Sequence, residues 1–426
     1  MDSIEFINLT AVMVIALIIP LLASLVPKAV RVPAVVLEIL AGIVFGPSGL
    51  GWVHIDAPVQ VLFLLGFSAL LFFAGLDVDV HRLRGTILRF ALLGYLVSLV
   101  LGVAAGYGVA GVDWVKSPLL IGIALAATTS GTVVALLEDS GHVADDLGQA
   151  ILAACAVAEF GAVLLLSLAF PTTGGSIGDR VILFAGFGVL VVIVVLAVRF
   201  AGASQRLRGM LARLQDTTAE IRVRATMVLM VGFAALAEKF GLESILGAFL
   251  AGAVIGIVDR DGSTHPRFRV KLAAIGNGFL IPVFFVTAGL RLNVRELFDS
   301  PSAVLRLFVF LIALLVVRGL PALLYRRRFG GRRAAAIGLL QATTLSVIVG
   351  ATQIGVQTGL ISSVNAVALT CAAVLSVLFF PPVAVRLLGP AGPASPGGPG
   401  GPAGQAMAAP PAMTGKAETS ADRSTL

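Results

Sequence analysis

The sequence predicts an all-α polytopic membrane protein with about thirteen transmembrane helices. Two observations support this fold class. Hydrophobic residues make up 58% of the chain and charged residues only 12%, whereas soluble domains carry about twice that share of charge. Apolar runs of about 20 residues, each long enough to cross a bilayer as a helix, recur along the chain. Membrane β-strands would be shorter and would alternate in polarity, which these runs do not.

The predicted spans are joined by short polar loops. They lie at approximately 6–27, 33–49, 58–77, 87–110, 117–137, 147–170, 180–200, 223–240, 243–258, 270–290, 303–325, 333–355 and 362–388. With the amino end outside and the carboxyl end in the cytoplasm, most Lys and Arg residues fall on inner loops and span ends, as the positive-inside rule expects. The formal charge of +7 therefore indicates orientation in the cell inner (plasma) membrane and not a nucleic-acid partner.

The transmembrane domain, residues 1–388, contains a weak internal repeat. Gly42 matches Gly252, Gly75 matches Gly289, and Ala127-Thr-Thr matches Ala342-Thr-Thr, in the same order and at nearly constant spacing. The matched spans differ by an odd number, so the halves, about 1–170 and 223–388, would enter the membrane from opposite sides. A linker helix and loop at 180–222 would join them. Inverted repeats with interrupted helices are typical of secondary transporters. The Pro-, Gly- and Ala-rich segment 389–426 is predicted to be a disordered cytoplasmic tail.

A single acid, Glu159, lies near the middle of the predicted span 147–170. At 1.5 Å per residue it is about 18 Å from the start of the span, within hydrocarbon depth. An intramembrane carboxyl is costly and marks a functional site by default. We expect Glu159 to bind either a proton or a monovalent cation. The alternative is a buried glutamate that is permanently protonated and bonds to a neighbouring helix.

Two hydroxyl clusters occupy matching positions in the repeat. The first is Thr128, Thr129, Ser130 and Thr132, and the second is Thr343, Thr344 and Ser346. Such residues bind ions where a membrane helix is broken, together with freed backbone carbonyls. They also occur at ordinary helix contacts and bond to the preceding turn. As a matched pair, they predict two broken helices, with Thr128, Thr129 and Ser130 as supporting oxygens for the ion at Glu159.

One basic residue, Arg318, lies deep in a predicted span. A guanidinium does not release its proton in a protein, so it is not a proton carrier. We expect it to stabilise the negative ends of half-helices, near Glu159. The alternative is a side chain that extends to the inner headgroups.

Other classes of site have little support in the sequence. The four histidines are singly spaced in loops and make no transition-metal motif. The two cysteines, Cys155 and Cys371, fall in apolar spans and suggest no disulfide framework. No nucleophile–base pair occurs in a span, so an enzyme is not expected. No nucleotide-binding loop is recognisable, and no cofactor is expected.

The chain resembles the monovalent cation:proton antiporter superfamily, in its bacterial sodium/proton and potassium/proton branch of the sodium/hydrogen exchanger family. The resemblance covers about 10–388 and is strongest in LEILAGIVFGPSGLG (37–51), LLFFAGLDVD (70–79), LAATTSGTVVALLEDSG (125–141), LESILGAFLAGAVIG (242–256) and IPVFFVTAGLRL (281–292). It implies two crossing broken helices, a mobile core of spans 4–6 and 11–13, and a scaffold of spans 1–3 and 8–10 that forms a homodimer. The family's ion-binding acid is usually an Asp after Asn, Gln or Asp, whereas this chain has Ala158-Glu159.

These observations together predict a secondary transporter that exchanges protons for Na⁺ or K⁺ by an elevator-type motion. With one titrating acid, the exchange is expected to be electroneutral. Two alternatives use the same fold: a K⁺ efflux channel-like protein, and a sensor or assembly partner that transports nothing.

Overall fold

The computed structural model describes residues 6–25, 33–77, 85–143, 145–170, 177–203, 220–258, 266–298 and 301–389. Within these ranges the regular structure is helical, apart from one isolated antiparallel bridge between Val115 and Ile361. The helices are α1 (Ile7–Leu25), α2 (Ala34–Phe45), α3 (Ala57–Leu76), α4 (Gly85–Ala110), α5 (Pro118–Ala126), α6 (Ser130–Asp139), α7 (Asp146–Ala169), α8 (Ile177–Ala203), α9 (Ile221–Lys239), α10 (Ser244–Val258), α11 (Pro266–Ile275), α12 (Ile281–Leu290), α13 (Arg295–Phe298), α14 (Pro301–Gly319), α15 (Arg326–Phe329), α16 (Gly331–Gln341), α17 (Ser346–Gln357) and α18 (Ser363–Leu388). This architecture confirms the predicted all-α polytopic fold class.

Seven of the described helices, or continuous helical runs, are long and apolar enough to cross a membrane. One of these runs joins α11 to α12 through a π-helical turn at Gly276–Leu280, and another joins α14 to α15 through a 3₁₀ turn at Leu320–Tyr325. The bent pair α16–α17 makes an eighth candidate span, and four further helices are apolar but shorter. The count of thirteen spans therefore stays a prediction. The predicted tail from 390 onward and linker residues 204–219 lie outside the described residues.

Two crossings are interrupted where the sequence places its threonine pairs. α5 begins at Pro118 after Ser117, whose hydroxyl accepts the N–H of Leu120 at 3.3 Å, a favourable helix start. It ends at Ala126, and Ala127 is extended with ψ of 161°. β-Branched and hydroxyl side chains follow, and these compete with helical backbone bonding. The chain resumes as α6 at Ser130. Likewise, α16 ends at Gln341 and α17 begins at Ser346, with a bend of 41°.

Close glycine contacts join helices from the two halves of the chain. Gly42 of α2 lies against the backbone of α12 at Gly289, and a Cβ on either glycine would overlap the opposite backbone. Gly75 of α3 packs in the same way against α10, where Gly252 faces the carbonyl of Phe72. Small residues allow membrane helices to approach this closely. α7 packs against α4, α5 and α6, which places its midpoint beside the first break.

Candidate ion-binding site

Glu159 lies at the middle of α7, and its side chain is only 2% exposed. The helix starts next to Asp145, whose carboxylate accepts the N–H of Gly148 at 2.7 Å. Ala158 and Ala162, which neighbour Glu159 on the helix, are fully buried. The carboxyl therefore lies in a small apolar environment, where an ionisable group needs specific polar partners.

The carboxylate of Glu159 binds the first residue of α6. Its Oε2 accepts the backbone N–H of Ser130 at 2.9 Å and also accepts the Ser130 hydroxyl. An N–H at the start of a helix has no partner within that helix and lies at the positive end of the helix dipole. The break in the first crossing thus creates a donor that stabilises a carboxylate without a basic side chain.

Hydrogen bonds join the residues of the two helix breaks. The N–H of Thr129 donates to the carbonyl of Thr343 at 3.2 Å. The Thr129 hydroxyl oxygen accepts the N–H of Leu345 at 2.9 Å and of Ser346 at 3.3 Å, and it lies 3.1 Å from the Ser346 hydroxyl. The Thr129 hydroxyl therefore accepts free N–H groups at the amino end of α17. The Glu159 carboxylate does the same at the amino end of α6.

The remaining threonines of the breaks bond in different ways. The Thr128 hydroxyl donates to the carbonyl of Gln341 at 2.6 Å. The Thr343 hydroxyl donates to the carbonyl of Leu339, in the last turn of α16, at 3.1 Å. The Thr344 N–H lies 3.3 Å from the hydroxyl of Ser376 on α18, and the Thr344 hydroxyl is buried without a partner among the described residues. Three hydroxyls were predicted to assist Glu159. Among the residues that the structure describes, only the Ser130 hydroxyl bonds to the Glu159 carboxylate.

Arg318 is 1% exposed and connects three elements. Its Nε donates to the Thr128 hydroxyl at 2.8 Å and lies 3.3 Å from the Gln341 carbonyl, while its Nη1 donates to the Ser98 hydroxyl on α4 at 3.0 Å. The guanidinium thus binds the Thr128 hydroxyl and the Gln341 carbonyl at the breaks. Among the described residues, its hydrogen bonds do not include one to Glu159. The buried position argues against extension to the inner headgroups.

Sequence reasoning did not identify Ser98, Gln341 or Ser376 as partners of the breaks. Ser98 is the one serine of α4, and Ser376 the one hydroxyl residue in the second half of α18. Each was a lone polar residue in an apolar helix, a pattern that more often reflects a bond within the helix. Gln341 acts through its backbone carbonyl, which no side-chain pattern could reveal.

The surroundings of the site differ along α3. α3 contacts α6 and α7 and is followed by the exposed Asp77. Gly131, next to Ser130, is exposed, and no neighbouring atom lies within 4 Å of where its Cβ would be. The space next to the first turn of α6 is therefore open.

Toward the other end of α3, aromatic rings fill the space between helices. Phe63, Phe67 and Phe284 stack with ring centroids 5.2 to 6.3 Å apart. Phe67 also packs against Gly350 of α17, where a Cβ would lie 2.7 Å from its ring. A cavity of about 420 Å³ lies nearby, between α3, α12, α17 and α18, with Arg291 on its wall.

Among the residues that the structure describes, no group of three or more His, Cys, Asp or Glu side chains is arranged to hold a metal ion. The site offers oxygens from one carboxylate, hydroxyls and the backbone. Such ligands suit hard monovalent cations and protons.

Comparisons with known proteins agree with this architecture. The family described as "Sodium/hydrogen exchanger, transmembrane" matches residues 13–388. A putative Na⁺/H⁺ antiporter, YjbQ, from Bacillus subtilis is 29% identical over 389 residues, which span 88% of this chain and 62% of that relative's length. A probable Na⁺/H⁺ antiporter from Methanocaldococcus jannaschii is 29% identical over 79% of this chain and 85% of its own. The Na⁺/H⁺-K⁺ antiporter GerN from Bacillus cereus is 27% identical over 82% and 88%.

The fold is also similar to a solved structure. The sodium proton antiporter MjNhaP1 from M. jannaschii superposes with a TM-score of 0.62, covering 90% of this chain and all of that one, at 15% identity. At this identity the similarity concerns the fold. The family is one of transporters and not enzymes, which confirms the expectation that the chain is not an enzyme. The match over nearly the whole transmembrane domain confirms the resemblance read from the sequence: this chain belongs to the sodium/hydrogen exchanger family.

Proposed function

We propose that this chain is a secondary transporter that exchanges protons for Na⁺ or K⁺. The observation that carries the proposal is the buried Glu159 carboxylate, bound to the amino end of α6 where two broken crossings meet. A carboxylate at this depth binds either a proton or a cation, so the two compete for one site. The names of the relatives, which include Na⁺/H⁺ and Na⁺/H⁺-K⁺ antiporters, support the choice of ions.

The ligands of the cation are the carboxylate of Glu159, the hydroxyl of Ser130 and backbone oxygens of Thr128 and Thr129. The threonine hydroxyls already bind partners across the breaks, so their part is to hold the two half-helices in register. The extended backbone at the break supplies carbonyls that replace ion hydration. Arg318 offsets the partial negative charge of these carbonyls without competing for Glu159.

Access to the site alternates by motion of a core against a scaffold. In this proposal α4–α7 and α14–α18 form the core, and α1–α3 and α9–α12 form the scaffold. Contacts within each group support the division: α3 packs on α10 and α2 on α12, whereas α4 packs on α5 and α14 on α18. The inverted repeat is supported by the glycine contacts. The repeat matches Gly42 with Gly252 and Gly75 with Gly289. Exchanging matched residues turns the contact of α2 with α12, made by Gly42 and Gly289, into the contact of α10 with α3, made by Gly252 and Gly75.

Two further features support alternating access. Gly131, next to Ser130, is exposed, whereas the stacked phenylalanines and Gly350 fill the space toward the other end of α3. The structure therefore resembles a state that is open to one side. With the predicted orientation, in the inner membrane with the amino end outside, that side is the cytoplasm. The scaffold helices would form the homodimer contact.

The exchange carries no net charge, because one acid exchanges one proton for one monovalent cation. Purified protein in vesicles should dissipate a preset pH gradient when Na⁺, K⁺ or Li⁺ is added outside, with a dye reporting the internal pH. The rate should not change when a voltage is imposed with an ionophore. A current in each cycle would contradict the stoichiometry. K⁺ flux without proton movement would favour the channel-like alternative, and absence of any ion-dependent proton flux would favour the sensor.

A further inference from the structure

We infer that Asn277 lines the passage through which cations reach Glu159, an inference that rests on the proposed exchange at that acid. Asn277 lies in the π-helical turn Gly276–Leu280, which joins α11 to α12 within one candidate membrane span. Its side chain is exposed. Single π-helical turns inside α-helices are frequent at functional sites, so the conformation of this turn is a first indication of a role in transport.

The amide of Asn277 stands alone in an apolar stretch. It is the one polar side chain between Lys271 and Thr287. At 1.5 Å per residue it is about 9 Å from Lys271 and about 21 Å from Arg291, within hydrocarbon depth. Among the described residues, its amide makes no hydrogen bond. Because an amide in hydrocarbon without a partner is costly, the exposed side of this turn is expected to meet water and not lipid.

Asn277 lies on the face of the α11–α12 run that is directed at the core. Residues on this face recur every three or four positions, which is the helical spacing: Asn277, Ile281, Phe284, Ala288 and Arg291. Ala288 and Arg291 line the cavity of about 420 Å³, together with residues of α17 and α18. In the middle of the face, Phe284 stacks against Phe67. The face therefore runs from that cavity, past the aromatic rings, to Asn277.

The position of the turn against α3 places Asn277 at the end where the site is open. A Cβ on Gly276 would overlap the ring of Phe73, in the last turn of α3. This end of α3 precedes the exposed Asp77, and α3 contacts α6 and α7, which carry the ion site. Aromatic rings fill the space at the other end of the face, whereas an amide is exposed at this one.

The internal repeat supports the same position. Gly75 matches Gly289 at a spacing of 214 residues, and at that spacing Asn277 corresponds to Phe63. Phe63 lines the cavity at the opposite end of the interface between the halves. In an inverted repeat, residues that correspond lie on opposite sides of the membrane at equivalent places. The residue equivalent to a wall of one passage is therefore expected to form a wall of the other.

The chemistry of an amide suits this place. Its carbonyl oxygen can replace a water molecule in the hydration shell of an entering Na⁺ or K⁺ ion, as carbonyl oxygens do in selectivity filters. Because the amide is neutral, it binds the cation more weakly than the carboxylate of Glu159 and does not retain it. Asn277 thus guides a partly dehydrated cation toward the acid.

Reaction of a cysteine at position 277 with a charged, membrane-impermeant methanethiosulfonate reagent tests the exposure of this side chain to water. The full-length Asn277→Cys variant also carries Cys155→Ala and Cys371→Ala, which remove the native thiols. Only the thiolate reacts, and a thiol that faces lipid does not ionise. We expect reaction in everted vesicles, in which the cytoplasmic face is outside, to be faster than in right-side-out vesicles.

Ile312→Cys, in the same background, is the matched control. Ile312 is 61% exposed at the middle of α14, between the exposed Phe308 and Val316, an apolar face typical of contact with lipid. In everted vesicles Asn277→Cys should react on the order of tenfold faster than Ile312→Cys. A permeant maleimide added after unfolding should label both variants fully. Equal rates for the two variants, or faster reaction of Asn277→Cys from the opposite face, would overturn the inference.

Transport kinetics provide a second measurement, whose direction general damage to the fold does not reproduce. With the cation added outside everted vesicles, Asn277→Leu should raise the KM about fivefold, because an oxygen ligand is lost. Asn277→Asp should lower it about fivefold, because a carboxylate attracts the cation. Shifts in the same direction, or no shift in either variant, would contradict the role of Asn277.

The two measurements separate this inference from the proposed function. Exchange by the wild-type protein together with slow labelling of Asn277→Cys would remove Asn277 from the passage and leave the exchange at Glu159 intact. Rapid labelling without any exchange by the wild-type protein would instead refute the proposed exchange, and the passage would then have no cation to carry.

Discussion

Replacing Thr129 with valine should destabilise the crossing of the two broken helices. Valine has nearly the shape of threonine, so packing is kept while the hydroxyl oxygen is removed. That oxygen accepts the N–H groups of Leu345 and Ser346, at 2.9 and 3.3 Å, in a region where Thr129 is 7% exposed. The change therefore leaves two backbone donors at the start of α17 without their acceptor.

The expected cost follows from the number of donors left unsatisfied. Each buried donor that loses its partner costs about 1–3 kcal/mol. The longer bond to Ser346 contributes at the lower end of this range. We therefore expect the free energy of unfolding to fall by about 2–5 kcal/mol.

Thr370→Val is the matched control. Thr370 is 3% exposed, and its hydroxyl donates to Ala366 in its own helix at 2.8 Å, so its loss should cost about 1 kcal/mol or less. Unfolding of both variants by titration with a denaturing detergent in mixed micelles measures the difference. If Thr129→Val unfolds at the same free energy as Thr370→Val, the hydroxyl does not hold the crossing together.

Three further changes test other contacts of the core. Ser130→Ala keeps the backbone N–H bond to Glu159 but loses the hydroxyl. It should raise the KM for the cation about tenfold in vesicles, and an unchanged KM would exclude the hydroxyl as a ligand. Arg318→Lys replaces a fork of donors with a single ammonium, so the free energy of unfolding should fall by about 1–3 kcal/mol; wild-type stability would contradict the bridging role. Gly75→Val should cost about 1–3 kcal/mol or more, because its side chain would overlap α10. Gly232→Val, which faces open space, controls for helix propensity.

Much of the fold could be predicted from hydropathy alone, because lipid requires apolar helices at a nearly fixed length. The helix interruptions near Thr128 and Thr343 were predicted from paired hydroxyl clusters, and the structure places a break at each. The exact bounds of the helices were not predicted, since α2 and α10 are shorter than a full span. The length of such helices depends on packing against neighbours.

The partners within the site were harder to predict. The sequence indicated Glu159 and Arg318 as unusual residues but suggested that they lie together. In the structure Glu159 binds the amino end of α6 and Arg318 binds Ser98 and Thr128. These pairings depend on backbone groups that a helix break releases, and a sequence shows side chains only. The contact of His142 with the backbone carbonyl of Gly389 was missed for the same reason.

The exchange of protons for cations at Glu159 is the central claim, and proton flux in vesicles containing Glu159→Gln tests it most directly. Glu38→Gln is the matched control, because Glu38 is also a buried acid, 3% exposed, but lies in α2 away from the breaks. We predict that Glu159→Gln folds and inserts yet shows no proton flux above that of empty vesicles when Na⁺ or K⁺ is added, while Glu38→Gln retains it. Wild-type flux from Glu159→Gln would contradict the account.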